Sequence, residues 1–386
     1  METSKLTRQI QKSKIRVMYD LARKKENVLN FTVGETDFMT PKEIVEVSNR
    51  YFSEGYTKYT PNAGVRELTE AIAQKYESVT GRNIQADSQV IVTVGATEAL
   101  LVAMQTVMDP GDEILICGPY FPSYINQIFI CHCKPVIVPT AEEDGWMPKA
   151  EEIEKRMTPR TKMLLLNSPC NPTGAVIDET TLREIAALCV RHQIVVISDE
   201  VYKDIRYNEE PYFSIASVEG MEELTVIVNS FSKTYAMPGW RVGYAVGPEW
   251  ILSQMPKTHD VTAACVCAPF QYAGAYALRH CDARVEEMVA KFKARRDLVY
   301  QGINSIDGLS AVQPQGAFYL FFNIKKLGMT SEEFAYELLD KEGVVLVPGT
   351  GFGEEGEGYI RFTYAADEES LKRGLERIQR FVRGNC

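Results

Sequence analysis

The chain has 386 residues, 45% of them hydrophobic and 24% charged, which is enough to bury a sizeable core in an ordinary folded protein. A net charge of −10 disfavours a general nucleic-acid or anionic-membrane surface, and no run is long and apolar enough to span a bilayer. Nine cysteines, including the C-x-C pairs Cys131/Cys133 and Cys265/Cys267, fit reduced thiols and a cytoplasmic protein, and four histidines with no matched ligand set argue against zinc.

The first segment, METSKLTRQIQKSKIRVMYDLARKK, is basic and loosely amphipathic. It lacks the apolar block and cleavage site of a secretory signal, and Glu2 and Asp20 dilute a mitochondrial reading, so residues 1–35 are expected to form a structural arm. Seven β-branched, apolar runs follow: QVIVTV (89–94), DEILIC (112–117), KPVIVP (134–139), TKMLLL (161–166), QIVVIS (193–198), LTVIVN (224–229) and RVGYAV (241–246). Their continuous apolar character predicts strands buried on both faces. Helical patterns such as TEALLVAMQTVM and ETTLREIAALCVRHQ lie between them. The expectation is an α/β large domain over 36–283 with a mostly parallel seven-stranded sheet.

From about residue 284 the pattern changes to a long amphipathic helix, VEEMVAKFKARRDLVYQGI. AFYLFFNI, SEEFAYELLDKEG, VVLVPG, YIRFTYA and EESLKRGLERIQRFV follow, predicting a smaller α+β domain over 284–386 that the N-terminal arm joins. GFGEEG (351–356) matches G-x-G-x-x-G literally, but it leads into the strand-like YIRFTY rather than a helix. It is set aside as a dinucleotide signature.

Ligands of open parallel sheets bind outside the carboxyl ends of the strands. After the first run, Gly95, Ala96 and Thr97 open a helix whose start suits an anion, although an ordinary tight turn reads equally well. GPYFPSY places aromatics beside the same mouth, where core packing is the commoner role. NSPCNPTG supplies Asn171. Asp199, Glu200 and Tyr202 close the fifth run, where a buried carboxylate requires a partner. Ser230, Ser232, Lys233 and Arg241 follow the sixth. One ligand explains this set economically: a phosphate ester on an aromatic, electrophilic ring. The helix start, Ser230 and Arg241 would hold phosphate, an aromatic would stack, Asp199 would pair with a protonated ring nitrogen, and Lys233 would form a Schiff base. That ligand is pyridoxal 5'-phosphate.

NSFSKTYAMPGWRVGYAVG, NSPCNPTGAV, ISDEVY, VTVGATEAL and YIRFTYA, in the chain, resemble the class I/II aminotransferases of fold type I. GETDFMTP and KYTPNAGVRELTEAI bring the resemblance closest to the prokaryotic-type aspartate and aromatic subgroup, from about Lys14 to the C-terminus. The resemblance implies Lys233 as the Schiff-base lysine and Asp199 as the partner of the ring nitrogen. It puts Asn171 and Tyr202 on the ring hydroxyl, Phe121 on the ring face, and Ala96, Thr97, Ser230 and Arg241 on the phosphate. Tyr59 would reach the phosphate of the partner subunit in a homodimer. Arg361 would grip the substrate carboxylate beside the backbone amide of Gly34. Lys233, Asp199 and Tyr202 are thus the implied catalytic set, and the Asn171–Pro172 bond is expected to be cis.

The implied reaction moves an amino group between an L-amino acid and a 2-oxo acid through pyridoxamine phosphate, without nucleic-acid or membrane partners. A different reaction on the same cofactor, such as C–S lysis, is the alternative. Dicarboxylate-specific members of the subgroup carry a lysine where this chain has Thr97, so the substrate side chain stays open. Arg16, in the arm, is expected to be a solvated arginine on a basic helix rather than a substrate contact.

Overall fold

A computed structural model describes residues 2–208 and 210–385. In chain order its strands are β1 (Leu29–Asn30), β2 (Val90–Thr93), β3 (Glu113–Gly118), β4 (Lys134–Pro139), β5 (Thr161–Asn167), β6 (Val195–Asp199) and β7 (Thr225–Ser230). Then come β8 (Gly243–Val246), β9 (Ser310–Ala311), β10 (Tyr319–Asn323), β11 (Val344–Val345), β12 (Val347–Pro348) and β13 (Tyr359–Thr363). The seven apolar runs all become strands of one sheet, ordered β2-β8-β7-β6-β5-β3-β4.

Side chains alternate across that sheet, and both faces are covered. Ile114 and Ile116 of β3 enter one core cluster with Met163 and Leu165 of β5, while Leu115, Leu164 and Leu166 enter another. The pairings from β7 through β4 are parallel. β8 runs antiparallel to both β2 and β7, with Ser230 opposite Gly243. Because of that reversal, the beginning of β8 lies at the carboxyl ends of its parallel neighbours. Arg241, which precedes β8, therefore arrives at the same mouth as Ser230.

The remaining strands make a four-stranded antiparallel sheet, β12-β13-β10-β9, and a short parallel pair, β1 with β11. A separate core lies here, with Phe318, Phe322, Phe334, Leu338, Phe362 and Phe381. Met18, Ala22 and Phe31 from the N-terminal segment belong to it. The long helix Asp282–Asn304 starts two residues before its expected beginning. The helix Ser331–Glu342 opens on a capping box, in which Thr330 and Glu333 satisfy each other's backbone amides. GFGEEG forms a turn and the short 3-10 helix Glu354–Gly356 before β13. Glycine at 356 is required by backbone contact, because a Cβ there would lie 2.0 Å from the Gly349 carbonyl oxygen.

One expectation is corrected. Among the described residues the cis bonds are Gly118–Pro119 and Ser168–Pro169, and Asn171–Pro172 is not one of them. Every X–Pro bond has a similar, small intrinsic bias, so surrounding packing selects which proline of NSPCNPTG is cis.

Candidate active site

A cavity of about 300 Å³ opens at the carboxyl ends of β5, β6 and β7 and extends to β10 and β13 of the smaller sheet. Gly34, Ala96, Thr97, Phe121, Asn171, Asp199, Tyr202, Ser230, Lys233, Arg241 and Arg361 all line it. Residues nearly 330 positions apart in sequence thus meet because two sheets face each other across it.

Lys233 sits on the single helical turn Phe231–Thr234 that follows β7, and the Ser230 hydroxyl caps that turn by accepting from Ser232 N at 3.3 Å. Its Nζ donates to the Gly34 carbonyl and lies about 6 Å from the ring centres of Tyr202 and Phe318. Burial, reinforced by the Arg361 charge, lowers its pKa to about 8.

Asp199 ends β6 and is 4% exposed. Its Oδ2 accepts from the Tyr124 hydroxyl at 2.6 Å and its Oδ1 from Val201 N at 3.3 Å. Burial raises its pKa to about 6, although those bonds and the Lys233 charge pull the other way. The carboxyl group therefore sits where a positive partner would be welcome.

Arg361, on β13, is 1% exposed and lies with its guanidinium carbon 4.5 Å from the Tyr319 ring centre. Nη1 donates to Asn171 Oδ1 at 2.9 Å and Nη2 to the Thr32 carbonyl, whereas the buried Nε has no partner. The Asn171 backbone amide is held by Asn167 Oδ1 at 2.9 Å, and Asn167 in turn donates to the Asp199 carbonyl at 3.0 Å. Tyr202 and Tyr319 share a hydrogen bond of 2.7 Å between their hydroxyls.

At the other end, Gly95 (φ 77°) turns the chain from β2 into the helix Ala96–Val107. Arg241 Nη2 donates to the Val94 carbonyl at 3.2 Å, and a Cβ on Gly95 would lie 2.3 Å from that nitrogen. Phe121 packs edge-on against Tyr124, with ring centres 5.5 Å apart.

Two sequence candidates lie elsewhere. Tyr59 is 90% exposed and is not part of the cavity wall. Arg16 is exposed, its guanidinium 5.6 Å from the Tyr19 ring centre, and its neighbour Ile15 lines the cavity instead. Tyr124 and Tyr319 were missed. Tyr124 stood inside GPYFPSY, where core packing is the commoner role, and Tyr319 inside AFYLFFNI; only the fold reveals the Tyr124 hydroxyl on Asp199 and the Tyr319 hydroxyl on that of Tyr202.

The donor set tests whether pyridoxal phosphate fits. A guanidinium, a serine hydroxyl and a helix N-terminus converge at one end, in a turn that tolerates no side chain at Gly95. A carboxyl group with a raised pKa stands at the other end, an amine lies between, and an orphaned Arg361 Nε marks a polar demand still unmet. The residues fit a phosphorylated, protonatable ring bearing an aldehyde.

Residues 26–378 match the family described as aminotransferase class I and II. Among curated relatives, an aspartate aminotransferase of Pyrococcus abyssi is 43% identical over 377 residues, with 96% of each chain covered. Aromatic-amino-acid aminotransferase 2 of Thermococcus litoralis is 40% identical over 375 residues, again covering 96% of each chain. Among solved structures, the Thermus thermophilus aspartate aminotransferase with maleate superposes with a TM-score of 0.94 at 35% identity, over 98% of this chain and 99% of that one.

Proposed function

We propose roles for these side chains from one premise: the chain belongs to the class I and II aminotransferases. It is a fold type I, pyridoxal-phosphate-dependent enzyme that moves an amino group between an amino acid and a 2-oxo acid. When bound, the cofactor supplies an aldehyde that captures the amino group and a ring that accepts the electron pair released at the substrate α-carbon. Lys233 Nζ would hold the cofactor covalently, and as a free amine it would take the proton from the substrate α-carbon and deliver it to the carbon that carried the aldehyde. A pKa near neutrality suits that exchange. Asp199 keeps a proton on the ring nitrogen, and Tyr124 keeps Asp199 in place. Asn171 and Tyr202 bond the ring hydroxyl, and Phe121 covers the ring face. Ala96, Thr97, Ser230 and Arg241 take the phosphate. Arg361 binds the substrate carboxylate through its planar fork, next to Gly34.

The convergence of Lys233, Asp199 and Arg361 on one cavity carries this reading. The test is Lys233→Ala, which should lose both turnover and covalent cofactor capture. An active Lys233→Ala enzyme would sink it.

The reading extends to the substrate side chain. Among the described residues lining the cavity the cations are Lys233, Arg241 and Arg361, all given roles above, and Ile15, Val33 and Leu100 add apolar wall while Glu35 adds a carboxylate. This favours an amino acid with an apolar or aromatic side chain over a dicarboxylic one. A donor panel in which aspartate gave the highest kcat/KM would overturn that choice.

A cytoplasmic homodimer completes the proposal. Its support is the set of eight described cysteines, all free, and the exposure of Tyr59, Met39 and Val261 at 90%, 87% and 81%. No described helix is long and apolar enough to cross a membrane. The division into an arm (1–35), a large domain (36–283) and a small domain (284–386) is supported by the separate cores of the two sheets.

A further inference from the structure

Glu98 is the third residue of the helix Ala96–Val107 and has no role in the chemistry above. It is nevertheless the most heavily bonded acid near the phosphate turn. Its Oε2 accepts from Val94 N at 2.6 Å, and its Oε1 accepts from His259 Nδ1 at 3.0 Å and Thr262 Oγ1 at 2.9 Å. Its side chain is 11% exposed and that of His259 is fully buried. His259 Nε2 has no partner, so the contact with Glu98 is the polar purpose of that ring among the described residues. Burial alone would raise the Glu98 carboxyl, yet the bonds from His259 and Val94 hold it below its ordinary range. Glu98 is therefore an anion at neutral pH, and an anion cannot itself be a phosphate ligand.

Its leverage lies in Val94. The amide of that residue is gripped by Glu98, and its carbonyl receives Arg241 Nη2. The next residue, Gly95, sits so close to the guanidinium that a single Cβ would collide with it. A small rotation of Val94 would thus displace both Arg241 and the first amides of the helix. Gln127 Nε2 steadies the far side of the turn by donating to the Thr97 carbonyl at 2.6 Å.

We propose that Glu98, buttressed by His259 and Thr262, is a positioning residue that aligns Arg241 with the helix start for the cofactor phosphate. The proposal rests on the reading of Ala96, Thr97, Ser230 and Arg241 as phosphate contacts.

The experiment compares two ligands on the full chain freed of cofactor: pyridoxal phosphate and pyridoxal, which lacks the phosphate. Glu98→Ala should raise Kd for pyridoxal phosphate by about tenfold or more, the scale of a lost charge-assisted bond, with less than about threefold change for pyridoxal. Glu98→Gln keeps an oxygen for Val94 N and should recover most of the preference. Arg241→Ala is the reference and should erase the preference. If Glu98→Ala weakens both ligands alike, or neither, the positioning role is overturned. If Arg241→Ala leaves the preference intact, the phosphate assignment falls and this inference falls with it. Should Glu98→Ala fail to fold, Thr262→Val decides. A smaller loss confined to pyridoxal phosphate supports the role, and an equal or absent change for the two ligands overturns it.

Discussion

A lysine whose amine titrates at about 8 has an observable consequence before any substrate is added. Only the neutral amine attacks an aldehyde, and a lowered pKa means that the proton leaves Lys233 at lower pH than it leaves a solvated lysine. Covalent capture of pyridoxal phosphate by the cofactor-free protein should therefore speed up by about tenfold per pH unit below about 8 and level off above it. Stopped-flow absorbance between pH 6 and pH 9 reads this directly. A rate still climbing steeply past pH 9 would mean that burial does not discharge the amine. The placement of Asp199 was legible in the sequence because it directly follows an apolar run, where a charge has no structural excuse, and that of Lys233 because it stands four residues past the end of another, between small polar residues. The hydroxyl partners were not, because Tyr124 and Tyr319 earn their roles from side-chain direction, which composition does not encode.

At the scale of elements, the segment after β1 ties the smaller sheet to the site. Phe31 N donates to the Val345 carbonyl at 2.9 Å, its carbonyl accepts from Thr363 N at 3.2 Å, and its ring centre lies 4.6 Å from that of Phe362. The adjacent Thr32 carbonyl receives the Arg361 guanidinium. Phe31→Ala should cost about 3–5 kcal/mol of stability in urea unfolding, the range for emptying a buried aromatic site. It should also raise KM for the amino donor, because Arg361 loses its footing. Unchanged stability would show that the N-terminal segment is not part of this core. All seven strands of the large sheet were legible, since burial on both faces leaves an unbroken apolar run. The reversal of β8 was not, because strand direction depends on how the chain returns to the sheet. Nor was the choice between Pro169 and Pro172 for the cis bond.

For the whole molecule, the observation behind the proposed homodimer is Tyr59, a large side chain that is 90% exposed on a loop held in place. Gln271 donates to the Thr60 hydroxyl at 3.0 Å and Asn62 to the Ala264 carbonyl at 2.8 Å, so the loop presents Tyr59 outward on a fixed stem. Light scattering should give twice the chain mass. Tyr59→Phe should leave that mass unchanged while weakening cofactor retention by about 1.5–3 kcal/mol, the value of one bond to a charged group. A fully active monomer would contradict the dimer.

The two cores have a further consequence. Lys233 is anchored beside one and Arg361 beside another, and the cavity is the seam between them. A substrate gripped at its carboxylate by Arg361 and at its α-carbon by Lys233 would rivet that seam shut. A ligand held from both sides resists local opening of both at once, so amide protection should rise together in β7 and β13. The rivet must also come out once per half-reaction. In an enzyme built this way, the tighter the seam is held for chemistry, the more the release of the 2-oxo acid limits the speed of the cycle.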